Sequence, residues 1–327
     1  MIISAIEHES VLETARDLER SGEAEVVCLP VDSRGVVDLK KLEESLNDRT
    51  VLVSIMHASN EIGTIQPISK ISEIIRNFRN SKLKTQNSKQ FFDSKTRNKS
   101  VSDFRFRDSN LAITYPLFHT DAAQTFQYLD CNPDTLGIDL MTLSAQKMYG
   151  PKGAGALNQR LDFSVKRTGE GVVRALTANR STLAPIITGG SHEFGLRAGT
   201  PNVPAIVGFG KAAEVVSNSR ELANSHTRKL RDLFLNGLKK IYPNLRTNPD
   251  SVSAFISSNH RESVFLPSIL NIYFPGHLAS DLLIKLDMAG IAAASGSACS
   301  ARSSKPSHVL KALGLPMERV TRSVRFS

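Results

Sequence analysis

Cysteine is scarce and scattered: Cys28, Cys131 and Cys299 are the three in 327 residues, and no two form a CxxC pair. That pattern excludes a disulfide framework, argues against a zinc knuckle, and points to a reducing compartment. Long apolar runs are lacking too. The longest candidates are broken by charge, proline or glycine well short of the roughly 20 residues that span a bilayer, so no membrane span is expected. No metal site and no internal repeat is visible. No targeting peptide can be read, because Met1 opens directly on the strand-like run Ile2-Ile3-Ser4. A cytoplasmic location is the default expectation, with a mitochondrial one if a targeting segment precedes the chain. What is present is ordinary for a folded protein: 40% hydrophobic and 22% charged residues, and a length that suggests about two domains.

The formal charge of +9 invites a nucleic-acid reading until it is mapped. Residues 77–115 hold nine bases (Arg79, Lys82, Lys84, Lys89, Lys95, Arg97, Lys99, Arg105 and Arg107) against Asp93, Asp103 and Asp108, which is +6 of the total. The segment is rich in Ser, Asn and Lys and shows neither a helical nor an alternating apolar period, so a long solvated insertion is expected. Nucleic-acid binding needs bases organised on a folded face, with aromatics for stacking. Phe91, Phe92, Phe104 and Phe106 are the only support for it here, and no nucleic-acid partner is expected.

The rest alternates short β-branched runs with longer amphipathic stretches, the pattern of an α/β protein with a mostly parallel sheet flanked by helices. Strands are expected at 25–31, 50–55, 117–120 and 140–143, and helices at 39–46 and 68–76, the latter with Ile71, Ile74 and Ile75 on one side. Helices at 205–217 and 219–241 place a domain boundary near 218. A strand at 267–273 and helices at 279–288 and 307–313 then build a smaller α+β C-terminal domain, 219–327, beside a larger one, 1–218.

Chemistry collects at the carboxyl ends of parallel strands, and three such ends are informative. One gives Met56-His57-Ala58-Ser59-Asn60-Glu61, a second His119-Thr120-Asp121-Ala122-Ala123-Gln124, and a third Ser144-Ala145-Gln146-Lys147. A lysine at the end of a buried strand, ahead of a glycine-rich turn, suits carbonyl chemistry, since partial burial lowers its pKa. A carboxylate on a neighbouring strand end could keep a pyridine nitrogen protonated. Asp121 and Lys147 are 26 positions apart, which leaves room for one crossover. Alone, such a pair is more commonly a surface ion pair.

The combination is more specific. Ser144-Ala145-Gln146-Lys147-Met148-Tyr149-Gly150-Pro151-Lys152-Gly153 resembles the cofactor-lysine motif of the cysteine desulfurases, within the class-V aminotransferase family of fold-type-I pyridoxal-phosphate enzymes. Six further segments are similar to that family in the same order. They are Ile6-Glu7-His8-Glu9-Ser10-Val11, Ser59-Asn60-Glu61-Ile62-Gly63, residues 119–124, Gly195-Leu196-Arg197-Ala198-Gly199-Thr200-Pro201, Ser295-Gly296-Ser297-Ala298-Cys299 and Arg322-Ser323-Val324-Arg325-Phe326-Ser327. Two insertions, 77–115 and 158–184, fall outside the likeness.

The resemblance implies a homodimer that binds pyridoxal 5'-phosphate. Lys147 would carry the cofactor covalently, His8 would stack on its ring, Asp121 would pair with the ring nitrogen and Gln124 with the ring hydroxyl. Asn60 would sit near that hydroxyl and the substrate carboxylate, which Arg325 would clamp. Ser144 and Gln146 would contact the phosphate, and Thr200 would reach it from the partner subunit. Gln146 stands where relatives commonly have a histidine, and Phe194 where they have an arginine. The family's phosphate-receiving turn and helix N-terminus are expected upstream of Met1. Cys299, in the small-residue run Ala294-Ser295-Gly296-Ser297-Ala298-Cys299, would be the nucleophile that takes sulfur from L-cysteine as a persulfide. L-Alanine would leave, and the sulfur would pass to an acceptor or an iron–sulfur scaffold. Two alternatives remain open at this point: a selenocysteine lyase, and a non-catalytic chain that dimerises with a longer paralogue. Cys28 reads as a buried strand cysteine and Cys131 as incidental.

Overall fold

Short β-branched runs form the first sheet in the computed structural model, which describes residues 1–93, 115–160, 183–250, 264–296 and 306–327. Cys299 and most of the second expected insertion lie outside the described residues. The strands are β1 (Ile2–Ser4), β2 (Val27–Leu29), β3 (Leu52–Ser54), β4 (Leu117–Asp121), β5 (Leu140–Ser144) and β6 (Gly155–Gln159). Their order is β2-β1-β3-β4-β5-β6. The first five are parallel, and β6 returns antiparallel along β5. The expected crossover between the Asp121 and Lys147 strands is present, because β4 pairs directly with β5 and sets Asp121 opposite Thr142.

Helices α1 (Glu9–Arg20), α2 (Leu39–Ser45), α3 (Ile68–Asp93) and the single turn α4 (Pro133–Leu136) connect these strands. Ile2, Val53 and Phe118 from the sheet meet Leu42, Ile71 and Ile75 from α2 and α3, all at most 1% exposed. Each such side chain contributes about 1.5–3 kcal/mol on burial. A slip of one residue in any of the strands would turn that set outward, so packing pins the register.

Two expectations are corrected along the helices. The solvated insertion was expected to begin at 77, yet α3 runs on to Asp93. Polar anchors replace the missing apolar period: Arg79 Nε donates to the Pro116 carbonyl at 2.9 Å, and Lys82 Nζ reaches Asp48 Oδ1 at 3.3 Å. Phe78, just before Arg79, packs against the core. Likewise the two helices expected around 218 are one, α5 (Val203–Ile241). The helix runs on through 218, where Ser219 Oγ donates to the Val215 carbonyl at 2.8 Å. Cys28 is also misread: β2 is the edge strand, and its cysteine is exposed.

Beyond α5 lies an antiparallel sheet, β7 (Arg246–Thr247), β8 (Leu270–Tyr273) and β9 (Ser323–Phe326), in that order. Helices α6 (Ala279–Met288), α7 (His308–Ala312) and α8 (Met317–Thr321) accompany it. Val309, Leu310 and Val320 pack onto Ile6, Met56 and Ile62, so the C-terminal helices close over the residues that follow β1 and β3. Among the described residues no helix is long and apolar enough to cross a membrane.

Candidate active site

Because β1, β3, β4 and β5 are adjacent and parallel, their carboxyl ends bring four of the sequence motifs to one edge of the sheet. His8 follows β1 and caps α1, its Nδ1 accepting from the Ser10 amide at 3.2 Å. Its ring is held where helix and strand meet, a fixed position for a stacking group. Asn60 lies buried in the turn after β3. Asp121 ends β4, and its Oδ1 accepts from the Ala123 amide at 2.9 Å, which fixes the carboxylate at the sheet edge. Gln124 follows in the same turn, half-buried.

Ser144 ends β5, and the 3₁₀ turn Ala145–Met148 carries Gln146 and Lys147. Residues three apart share a face in such a turn. Ala145 and Met148 take the inner face, so Gln146 and Lys147 are exposed. The partial burial expected of Lys147 is therefore not found. Tyr149 closes the turn at φ 62°, and Gly150 packs so tightly that a Cβ there would stand 2.9 Å from the Ala145 carbonyl. The glycine is thus a steric requirement of the lysine turn. Thr200 is exposed, ahead of Asn202, the N-cap of α5.

The second sheet supplies Arg325. Its Nη1 donates to the Asn60 carbonyl at 3.1 Å, and its backbone pairs with Ala294 at 2.6 and 3.0 Å. That pairing leads the chain toward the segment bearing Cys299. Cys299, the expected nucleophile, lies outside the described residues.

Beneath these groups runs a polar layer that the motifs did not single out. His119 bridges three strands, with Nδ1 2.8 Å from Ser54 Oγ and Nε2 2.8 Å from Thr142 Oγ1, and burial lowers its pKa. Thr125 Oγ1 lies 3.2 Å from His57 Nδ1 and 3.4 Å from Cys131 Sγ. Burial pushes His57 down to about 4 and the Cys131 thiol up to about 11, so both are neutral near pH 7 and form no thiolate–imidazolium pair. Glu7 is fully buried, accepts the Met56 amide at 2.9 Å, and is pushed up to about 8 by desolvation, with Asp121 adding to it. Glu7 and Glu61 were visible in the sequence as carboxylates flanking His8 and Asn60. Only their burial distinguishes them from surface acids.

The chain is similar to known proteins in sequence and fold. The model of the family described as "Aminotransferase class-V" matches residues 1–89 and 114–327. It passes over 90–113, inside the first expected insertion, and runs on through the second. The Archaeoglobus fulgidus protein named "Cysteine desulfurase IscS 1" is 37% identical over 97% of this chain and 65% of its own length. The Bacillus subtilis "Putative cysteine desulfurase IscS 1" is 34% identical over the whole chain and 69% of its own. A solved structure titled "NIFS-LIKE PROTEIN" superposes with a TM-score of 0.71 at 30% identity, covering all of this chain and 68% of that one. The chain thus spans about two thirds of the length of the curated relatives it matches. It belongs to the class-V aminotransferase family, and within it to the group of the cysteine desulfurases.

Proposed function

We propose that this protein is a pyridoxal-phosphate-dependent cysteine desulfurase, taking sulfur from L-cysteine and releasing L-alanine. The observation that carries the reading is the joining of the two sheets at one place: Arg325 of β9 binds the Asn60 carbonyl beside the carboxyl ends of β1, β4 and β5. The donor set there fits the cofactor's chemistry: an amine (Lys147), a carboxylate (Asp121), an imidazole (His8), an amide (Gln124) and a hydroxyl (Ser144). Lys147 would hold it, Asp121 would face the ring nitrogen, His8 the ring and Gln124 the ring hydroxyl. Ser144 and Gln146 would hold the phosphate, with Thr200 of a second copy completing that grip in a homodimer. When bound, pyridoxal phosphate supplies an electron sink for the charge that builds on the substrate's carbon skeleton.

The chain's own residues do the rest. Arg325 and Asn60 orient the substrate through its carboxylate, a two-point grip suited to a planar guanidinium. Lys147 would move protons at this site, taking one from the substrate's α-carbon and returning protons as alanine forms. The Cys299 thiolate bonds to the substrate sulfur while the carbon–sulfur bond breaks. The electron pair of that bond stays with the carbon skeleton, which is protonated, and the sulfur remains on Cys299 as a persulfide. From there it passes to a thiolation acceptor or an iron–sulfur scaffold. A two-unit organisation, 1–218 and 219–327, is our working division, and the cytoplasm our working location.

The test is to add pyridoxal phosphate and L-cysteine to the purified chain and measure alanine together with persulfide on Cys299. Equal amounts of both in the first turnover, lost in Cys299→Ser, are expected. Absence of both would mean that the chain binds partners without turnover. Product from L-selenocysteine alone would move the assignment to selenocysteine.

A further inference from the structure

Asn271 is a polar residue inside an apolar strand, the Leu270-Asn271-Ile272-Tyr273 of β8, and it is 1% exposed. Burying an amide is costly unless it is hydrogen-bonded. Its Oδ1 accepts from Asn248 Nδ2 at 2.8 Å, and its Nδ2 donates to the Glu61 carbonyl at 3.3 Å. The direction of these bonds is set from both ends. Arg319 can only donate, and its Nε bonds to Asn248 Oδ1 at 2.6 Å. Asn248 Nδ2 then serves Asn271 and, at 2.7 Å, Ser323 Oγ. At the other end the Glu61 carbonyl can only accept. Asn271 therefore presents its NH2 group to the turn after β3, and a flip of the amide would break both bonds.

Asn271 stands directly opposite Arg325 in the β8–β9 ladder. Opposed residues of an antiparallel pair project from the same face. The two side chains reach consecutive carbonyls of one turn: Arg325 Nη1 takes that of Asn60 at 3.1 Å, and Asn271 Nδ2 that of Glu61. Further along, backbone bonds join the same turn to the chain ahead of β8. The Leu266 amide donates to the Gly63 carbonyl at 2.8 Å, and the Ile65 amide to the Val264 carbonyl at 2.9 Å. Those bonds dock the turn without any side chain. Asn271 adds a hold on the peptide next to the one that anchors Arg325.

We infer that Asn271 is a positioning residue for Arg325: by holding the Glu61 peptide, it keeps the Asn60 carbonyl where the guanidinium is anchored for the substrate carboxylate. The inference rests on the proposed role of Arg325, and its test separates the two. In the cofactor-free chain, modification of Arg325 by phenylglyoxal is followed by peptide mass spectrometry, with exposed Arg49 as the internal control. Asn271→Asp keeps the shape and the acceptor for Asn248 but, ionised, lacks the donor. It is expected to raise the Arg325 rate about fivefold, the scale of one hydrogen bond, with Arg49 unchanged. Asn271→Ala, which removes the donor without adding charge, should do the same. Asp250→Ala breaks the Arg319 ion pair at the exposed end of the same network. It loosens the second sheet without touching the turn, and should leave Arg325 labelling at the wild-type rate. With pyridoxal phosphate and L-cysteine, Asn271→Asp should raise the KM for L-cysteine about fivefold and change kcat by less than about twofold. Equal Arg325 labelling in wild type and both Asn271 variants, or an equal rise in Asp250→Ala, would overturn the inference. Faster labelling beside an unchanged KM would count against Arg325 as the grip on substrate, and no product in the wild type against the desulfurase reading alone.

Discussion

Arg325 Nη1 donates to the backbone carbonyl of Asn60 at 3.1 Å, across 265 residues of sequence. That bond anchors one terminal nitrogen of the guanidinium, the planar group suited to a two-point grip on a carboxylate. Arg325→Lys keeps the charge and loses the fork. The expected result is a rise in the KM for L-cysteine with a small change in kcat, lowering kcat/KM by about 10–100-fold. Steady-state alanine formation checks it; an unchanged KM would separate Arg325 from substrate binding.

Glu7 makes stability depend on pH in the direction opposite to that of most acids. Unfolded, its carboxyl ionises near 4.5; folded, it keeps its proton to about 8. Its contribution is fully present below the lower value, declines as pH rises through the window, and is lost above the upper one. Glu7→Gln is neutral throughout and can still accept the Met56 amide. Urea unfolding at pH 5 and pH 8 should show the wild type losing of the order of 3 kcal/mol relative to Glu7→Gln. Parallel curves for the two proteins would refute it.

Cys131 is expected to be chemically silent. With its thiol pushed up to about 11 by burial, it should resist alkylation in the folded chain while Cys28 reacts. Cys131→Ala should cost about 1–2 kcal/mol through the cavity it leaves and leave persulfide formation intact. Sulfur found on Cys131 after L-cysteine treatment would contradict this.

The extension of α3 should depend on Arg79. That side chain bonds to Asp139 and to the Pro116 carbonyl, and Asp139 Oδ2 also accepts from the Phe118 amide at 2.7 Å. Both partners are largely buried, at 17% and 20% exposure, so removing one leaves the other poorly solvated. Arg79→Ala should destabilise the fold by about 2–3 kcal/mol in chemical unfolding, discounting the buried-pair range for the remaining exposure. A loss under about 0.5 kcal/mol would place the pair among ordinary surface contacts.

The parallel strands were legible because Val, Leu and Ile cluster in them, and the strand-end motifs because their residue types are rare together. What was hidden was mostly polar. The run from Asn77 onward shows no apolar period, yet Arg79 and Lys82 dock it by charge and hydrogen bonds. Around Asn218 two helices were expected, but Arg220 and Asn224 reach the Phe126 and Tyr128 carbonyls at 3.3 and 2.6 Å and α5 runs through as one helix. β6, Gly-Ala-Leu-Asn-Gln, has almost no strand signature and is defined by its pairing with β5. The exposure of Lys147 and the burial of Glu7 and Glu61 depend on how elements distant in sequence pack, which no local pattern encodes.

The most direct measurement is the visible absorption of the purified chain with pyridoxal phosphate, before and after L-cysteine, beside Lys147→Ala. The expected result is a band that is present in the wild type, shifts on addition of L-cysteine, and is absent in the variant. A wild type with no band, or a band that Lys147→Ala retains unchanged, would contradict the assignment of this strand edge as a working pyridoxal-phosphate site.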